Sequence, residues 1–325
     1  MGFDNTGFIW LNGALVPWAD AKIHVFSHVV SYGSSVFEGQ RCYKTVNGPA
    51  CFRLPEHTVR LFNSAKVYRM EVPFTREQIN QGILDVISAN ELEQCYIRPI
   101  VYRGYNSLGV DPRKCPVDVV IGAWDWTHYF GVGAQENGVS VCVSSWNRLL
   151  PNSMPPVAKS GANYMNSQLI KLEAVANGYT EGIALDAWGN VSEGSGMNVF
   201  LVVNGSIITP PLASSILPGI TRDSVMILAR EMGYEVTEEV IPRALLYIAD
   251  EVFFTGSATE VTPVTSVDKI PVGDGKIGPI ALRMQSAFRE YVEGRVPDRY
   301  GWLTPVVASS GKTKSRAAAV AGARR

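Results

Sequence analysis

Short strand-like runs alternate with helical repeats along the whole of this 325-residue chain, and that alternation constrains the fold more than any other feature. Apolar strand-period runs fall at 8–11 and 14–16, on either side of Asn12-Gly13, the strongest short hairpin signal. Further strands are expected at 36–43, 96–102 and 117–124. Between them, 56–70 places Val59, Phe62 and Arg69 on a helical repeat, and 76–89 does the same for Ile79, Ile83, Val86 and Ile87. These elements make a first α+β unit.

At 127–137 glycines and aromatics replace the periodicity, as a connector between domains would. Beyond it, strands are expected at 139–144, 182–186, 197–203 and 251–254, and helices at 163–177, 222–232 and 279–293. Met165, Leu169, Leu172 and Ala176 share one stripe of the first of these helices, which predicts that this stripe packs on a sheet. The fold class is therefore α+β, or mixed α/β, in two domains. Residues 1–128 form a small N-terminal α+β domain, 129–137 a connector and 138–304 a larger mixed α/β domain. Residues 305–325, rich in Ala, Ser, Lys and Arg without apolar anchors, are expected to be a disordered tail.

With 46% hydrophobic residues the chain can bury a large core, and 29 basic against 30 acidic side chains leave no net field that would select nucleic acid or anionic lipid. No apolar run approaches the roughly eighteen residues of a membrane span, and no signal pattern opens the chain. Five cysteines without C-x-x-C spacing argue against a secreted disulfide framework, so a cytoplasmic setting is expected. The first six residues fit a permissive myristoylation pattern, and Asn204-Gly205-Ser206 a glycosylation pattern; the second reads better as a hairpin turn. His24 and His28 have H-x-x-x-H spacing but no third ligand pattern nearby, so no metal is expected.

Three segments could carry chemistry. Lys159 sits between the proline-stiffened loop Pro151-Asn152-Ser153-Met154-Pro155-Pro156 and a helix start, among Val157, Ala158, Gly161 and Ala162. Such a poorly hydrated position disfavours the ammonium and favours the nucleophilic amine that an aldehyde cofactor captures. In Ser192-Glu193-Gly194-Ser195-Gly196 a carboxylate lies among small residues that let a flat ring approach, and a carboxylate facing a pyridine nitrogen keeps that ring electron-withdrawing. Leu217-Pro218-Gly219-Ile220-Thr221 feeds a helix whose first amides, at Ile220 and Thr221, could bind a phosphate. Gly256-Ser257-Ala258 is a second small polar turn of that kind. Each signal alone is weak, since most lysines are solvated and most helix starts hold only water or a cap.

Taken together, the segments resemble the branched-chain amino acid aminotransferases, within the class IV (fold-type IV) pyridoxal-phosphate enzymes. The likeness runs from Ile9 to about Leu303. It is carried by Tyr32-Gly33-Ser34-Ser35-Val36-Phe37-Glu38-Gly39, Phe52-Arg53 with His57 and Arg60-Leu61, Tyr96-Ile97-Arg98-Pro99, Ser144-Ser145-Trp146-Asn147-Arg148, and the Lys159, Glu193 and Leu217 segments. The resemblance implies that pyridoxal 5'-phosphate is held covalently by Lys159, the proton shuttle, and that the 138–304 domain is the main cofactor-binding one. It implies Glu193 at the pyridine nitrogen, Tyr164 at the phenolic oxygen, and Arg60, Leu217, Ile220, Thr221 and Ser257 around the phosphate. It further implies that Tyr96 and the turn at Ser257 and Ala258 receive the substrate's α-carboxylate, with Gly39 also at the substrate and Phe37, Trp126, Tyr129 and Tyr164 lining its side-chain pocket. Tyr32, Leu108 and Val110 would come from a partner subunit of a homodimer or larger homo-oligomer, and Arg98 would meet the distal carboxylate of glutamate. The implied partners are small amino acids and 2-keto acids, neither nucleic acid nor membrane.

The same fold also hosts D-amino acid and amine transaminases and aminodeoxychorismate lyases, and a non-catalytic protein could retain it. Tyr96-Ile97-Arg98 and the nearby aromatics favour branched-chain substrates.

Overall fold

The structure, a computed structural model, describes residues 7–125, 129–130 and 133–307. Its residues group into two compact units.

The first unit begins with β1 (Phe8–Leu11) and β2 (Ala14–Pro17), then α1 (His28–Tyr32), β3 (Ser35–Phe37), β4 (Gln40–Thr45) and β5 (Gly48–Phe52). Helices α2 (Leu54–Val67) and α3 (Arg76–Ala89) follow, and then β6 (Cys95–Arg103) and β7 (Val117–Trp124). The hairpin turn forms as expected: Asn12 and Gly13 both take positive φ, 46° and 94°, between the paired Leu11 and Ala14. Helix α3 starts in a capping box, with Thr75 accepting from the Gln78 amide while the Gln78 side chain accepts from the Thr75 amide. Its Ile79, Ile83, Val86 and Ile87 are fully buried against Trp10, Ile97 and Ile121, each apolar side chain contributing about 1.5–3 kcal/mol. Gly82 lets the helix approach the sheet closely, because a Cβ there would lie 2.9 Å from the Trp10 ring.

The expected 36–43 strand is two strands, interrupted at Glu38 and Gly39. Glu38 is buried and turned to α2, and a Cβ on Gly39 would stand 1.9 Å from the Tyr96 hydroxyl, so the chain bends where these two meet their partners. Helix α2 buries Leu54, His57, Thr58, Leu61, Ser64 and Ala65, leaving Val59 exposed: its inward face is polar as well as apolar, which the hydrophobic spacing did not reveal.

The second unit holds α4 (Ala134–Asn137), β8 (Val139–Val143), α5 (Tyr164–Ala176), β9 (Glu181–Leu185), β10 (Val191–Gly194), β11 (Asn198–Val203), β12 (Ser206–Thr209), α6 (Ile220–Glu231), β13 (Val236–Glu238), β14 (Glu251–Gly256), β15 (Glu260–Val267), β16 (Ile270–Pro271) and α7 (Pro279–Val292). Its sheet runs β10-β9-β8-β15-β14-β11-β12-β13, with β16 beside β15. Asn204 and Gly205, with φ of 52° and 82°, make the β11–β12 hairpin turn. The apolar stripe of α5 faces the other way from expectation: Met165, Leu169, Leu172 and Ala176 are exposed, while Ser167, Ile170 and Ala174 face inward. The reason is close approach. A Cβ on Gly182 of β9 would come within 2.7 Å of Ile170, and the buried guanidinium of Arg148 needs the Ser167 hydroxyl, so the face bearing Ser167, Ile170 and Ala174 packs inward.

A last strand, β17 (Leu303–Pro305), pairs with β5 and completes the first sheet, ordered β17-β5-β4-β6-β7-β1-β2 with β3 beside β6. The first unit thus includes residues 292–307, and also 158–162 from the middle of the sequence, where the sequence reading runs each domain as one continuous stretch. Backbone hydrogen bonds account for the difference at 158–162: they tie Lys159 and Ser160 to β3.

Candidate active site

In the first unit Lys159 is clamped on both sides by its own backbone. Its amide donates to Ser64 Oγ of α2 at 3.0 Å, its carbonyl accepts from the Phe37 amide at 2.9 Å, and Ser160 bridges to Val36. Gly161 is required next, since a Cβ there would lie 2.4 Å from Ser35 Oγ. The side chain is 9% exposed and its Nζ lies 5.0 Å from the Phe37 ring centroid. Arg98 approaches the same ring at 4.7 Å and donates to the Tyr96 hydroxyl at 3.2 Å. The structure therefore brings Lys159, Phe37, Gly39, Tyr96 and Arg98 together. Arg98 Nε is buried without a hydrogen-bond partner among the described residues, a donor suited to an incoming carboxylate.

Beside them lies a network in which the sequence reading assigned a role to Arg60 alone. Glu38, fully buried, accepts from Arg60 Nε at 2.7 Å, Arg60 Nη2 at 2.8 Å and His57 Nδ1 at 2.7 Å. His57 and Arg60 stand three residues apart on α2, so both reach one carboxylate. The legible signal was a charged pair at that spacing on an otherwise amphipathic helix, following an acidic residue at the end of a strand. Burial alone would raise the Glu38 carboxyl; the charge and hydrogen bonds of Arg60, then those of His57, outweigh it and hold it far below the usual carboxylate range. Burial likewise pushes the His57 imidazole down, against the upward pull of Glu38, and Arg60 and Lys159 add to the fall. His57 is thus a neutral hydrogen-bond donor to Glu38, and the ion pair is Glu38 with Arg60.

Tyr32, Leu108 and Val110 lie on an exposed part of the same unit, where the Tyr32 hydroxyl donates to the Leu108 carbonyl at 2.8 Å. His24 stacks on Tyr105 there at 4.1 Å, and both ring nitrogens of His28 are engaged, with Ser34 Oγ and the Gly109 carbonyl.

In the second unit Glu193 is buried on β10, a strand absent from the sequence expectations because its run of small residues carries no apolar alternation. Its carboxylate receives Arg148 Nη2 at 2.7 Å, Asn198 Nδ2 at 3.1 Å and the Leu217 amide at 3.0 Å. Arg148 is held in turn by Asn166 and Ser167. Asn198 also ties down the Leu217 carbonyl at 3.0 Å, and its Oδ1 lies 1.9 Å from where a Gly219 Cβ would be, so only glycine fits before α6. With no side chain on Gly219 to cap it, the start of α6 presents Ile220 and Thr221, both buried. The 256–259 turn lies against Gly196 and Met197; it includes Ser257 and Ala258, and the buried Thr259 Oγ1 beside them has no hydrogen-bond partner among the described residues. Tyr164 opens α5, its ring 4.0 Å from where a Gly196 Cβ would be, and Tyr129 packs partly buried on the core of this unit. Trp126 lies outside the described residues, as do the first six residues and 308–325.

Each unit by itself holds groups that suit part of a phosphorylated ring cofactor. The first unit supplies a nearly buried amine and the guanidinium of Arg60. The second supplies a carboxylate flanked by Gly194 and Gly196, an uncapped helix start and an orphaned hydroxyl.

The description of the amino-transferase class IV family matches residues 35–267. The branched-chain-amino-acid aminotransferase of Salmonella typhimurium is 50% identical over 300 residues, covering 92% of this chain and 97% of that one. The crystal structure of the Escherichia coli branched-chain amino acid aminotransferase has a TM-score of 0.91 at 49% identity, covering 93% of this chain and all of that one. The branched-chain amino acid aminotransferase of Thermobaculum terrenum, solved in its PLP (holo) form, gives 0.87 at 36% identity, covering 94% of this chain and all of that one.

The fully buried Glu38 and His57 both make the fold sensitive to acid. Glu38 contributes stability that is complete above the ordinary carboxylate range and disappears as pH falls through its lowered folded value. His57, neutral in the fold, opposes folding once the unfolded imidazole protonates below about 6.5. Unfolding free energies from urea titrations between pH 7 and pH 3 are therefore expected to fall less steeply in Glu38→Gln than in the unsubstituted protein in the carboxylate range. Identical pH slopes would contradict this account of Glu38.

Proposed function

The chain belongs to the class IV aminotransferase family, and from that membership we propose how its own residues perform reversible amino transfer between L-leucine, L-isoleucine or L-valine and 2-oxoglutarate, in branched-chain amino acid biosynthesis. The enzyme is a pyridoxal-phosphate-dependent transaminase working by alternating half-reactions. Bound, the cofactor supplies the aldehyde that carries the amino group and the ring that draws electrons from the substrate Cα.

The observation that carries the proposal is the buried Lys159 amine over the Phe37 ring, with Arg98 against that same ring. With the cofactor bound, Lys159 would hold it covalently and would serve as the group that moves the proton between the substrate Cα and the cofactor C4′. Glu193, fed by Arg148 and Asn198, would pair with the pyridine nitrogen and keep its proton in place. Tyr164 would bond the phenolic oxygen, and Arg60, Ile220, Thr221 and Ser257 would bind the phosphate, with Leu217 beside the cofactor and Glu38 fixing the Arg60 guanidinium through two hydrogen bonds.

Tyr96, Gly39 and Ala258 receive the α-carboxylate end of the substrate. Phe37, Trp126 and Tyr129 exclude water from its aliphatic side chain, each buried methylene adding about 0.8 kcal/mol. Arg98, with an unused Nε, takes the distal carboxylate when glutamate is donor, so one pocket serves apolar and acidic side chains in turn.

Loss of transamination in Lys159→Ala, with an unchanged circular-dichroism spectrum, is the expected result. Kinetics with L-leucine, D-alanine and a chiral arylamine against 2-oxoglutarate should favour leucine. Retained turnover in the variant, or preference for either other donor, would overturn the assignment.

We also propose a homo-oligomer in the cytoplasm. Val25, Phe26, Val30 and Tyr105 are exposed around Tyr32, Leu108 and Val110, an apolar patch that a second copy of the chain would cover. All five cysteines are buried free thiols, in keeping with a reducing compartment, and no described helix is long and apolar enough to cross a membrane. On size-exclusion chromatography of cytosol from the producing cells the protein should elute at twice the chain mass or more, and a Val25→Asp variant should elute smaller. Elution as a monomer, or absence from the cytosolic fraction, would defeat this reading.

A further inference from the structure

Apart from the cofactor residues, the first unit contains an open cavity of about 380 Å³ where the end of α2 meets the start of α3. Lys66, Arg69 and Arg76 line it, against a single carboxylate, Glu71. Phe62 and Val72 supply an apolar wall, with the Arg76 guanidinium 5.6 Å from the Phe62 ring. Phe62 and Lys66 stand one turn apart on the side of α2 away from Arg60 and Ser64, so the cavity and the cofactor residues use different faces of one helix.

Two of the three cations occupy positions that the local fold disfavours. Arg69 follows the end of α2 with φ of 52°, the left-handed conformation in which glycine or asparagine is least strained. The turn is pinned there by buried Arg103, which donates to the carbonyls of Tyr68 and Arg69 at 3.2 and 3.0 Å. Arg76 is the first residue of α3, where a cation meets the positive end of the helix. Among the described residues none of the three is ion-paired. Backbone strain and dipole repulsion are both borne at the rim of one cavity, and a dianion seated among the three guanidinium and ammonium groups would relieve the repulsion.

We propose that this cavity binds a small phosphate monoester, its dianion among Lys66, Arg69 and Arg76 and its organic part on Phe62 and Val72. Three cations against one carboxylate match a compact dianion with several acceptor oxygens. The proposal does not depend on the substrate assignment, since it uses none of those residues.

Calorimetric titration of the holoenzyme with phenyl phosphate and with inorganic phosphate, while the cofactor absorbance is followed, tests it. Phenyl phosphate should bind saturably and more tightly than inorganic phosphate. Arg69→Gly, which relieves the backbone strain and so keeps the fold, and Arg76→Ala should each weaken phenyl phosphate by about tenfold. No saturable binding, equal affinity in the variants, or loss of cofactor absorbance on titration would overturn it; the last result would put the ligand at the cofactor's own phosphate.

Discussion

In the proposed mechanism the position of one peptide unit governs the chemistry. Lys159 hands its amide to Ser64 on α2 and its carbonyl to Phe37 on β3, so neither its backbone nor the root of its side chain can swing without breaking a buried hydrogen bond. An amine that must bond a cofactor and then return a proton to one face of a carbon needs this fixed origin. The surrounding glycines follow from it: Gly161 clears Ser35, and Gly39 clears Tyr96, leaving the Phe37 ring as the surface that both Lys159 and Arg98 approach.

Charge is managed in buried pairs. Burying an ion costs several kcal/mol unless a counter-ion and hydrogen bonds replace water, and removal of one member strands the other at about 3–5 kcal/mol. Glu38 with Arg60 in the first unit, and Glu193 with Arg148 in the second, are each built so that both carboxylate oxygens are occupied by donors. In both pairs the group that would meet the cofactor is held by one that does not, and the geometry of each functional side chain is set by its neighbour rather than by its own rotamer.

Much of this was legible in the sequence, unevenly. The Asn12-Gly13 and Asn204-Gly205 turns announced themselves because glycine and asparagine at positive φ have few other uses, and α3 because four isoleucine and valine side chains fall at helical spacing; its Thr75/Gln78 box emerged only from the structure. Helix α5 misled because an apolar stripe does not say which face of the helix packs; where β9 comes close at Gly182, Ile170 and Ala174 take the inner face and Met165, Leu169 and Leu172 are left outside. β10 escaped notice for lack of alternation, and the break between β3 and β4 because it depends on a tertiary contact with Tyr96. Lys159, Glu193 and the α6 start, all buried, were singled out as candidates by residue type and local context. Glu38 and Arg148 were not, since a supporting carboxylate or guanidinium differs from a surface one only in what the fold sets beside it.

The most direct test of the central claim is to reduce the holoenzyme with borohydride, digest it and find by mass spectrometry which peptide carries the phosphopyridoxyl group. A buried, backbone-clamped Lys159 predicts stoichiometric labelling of that residue alone. Labelling of any other lysine, or of none, would contradict the account.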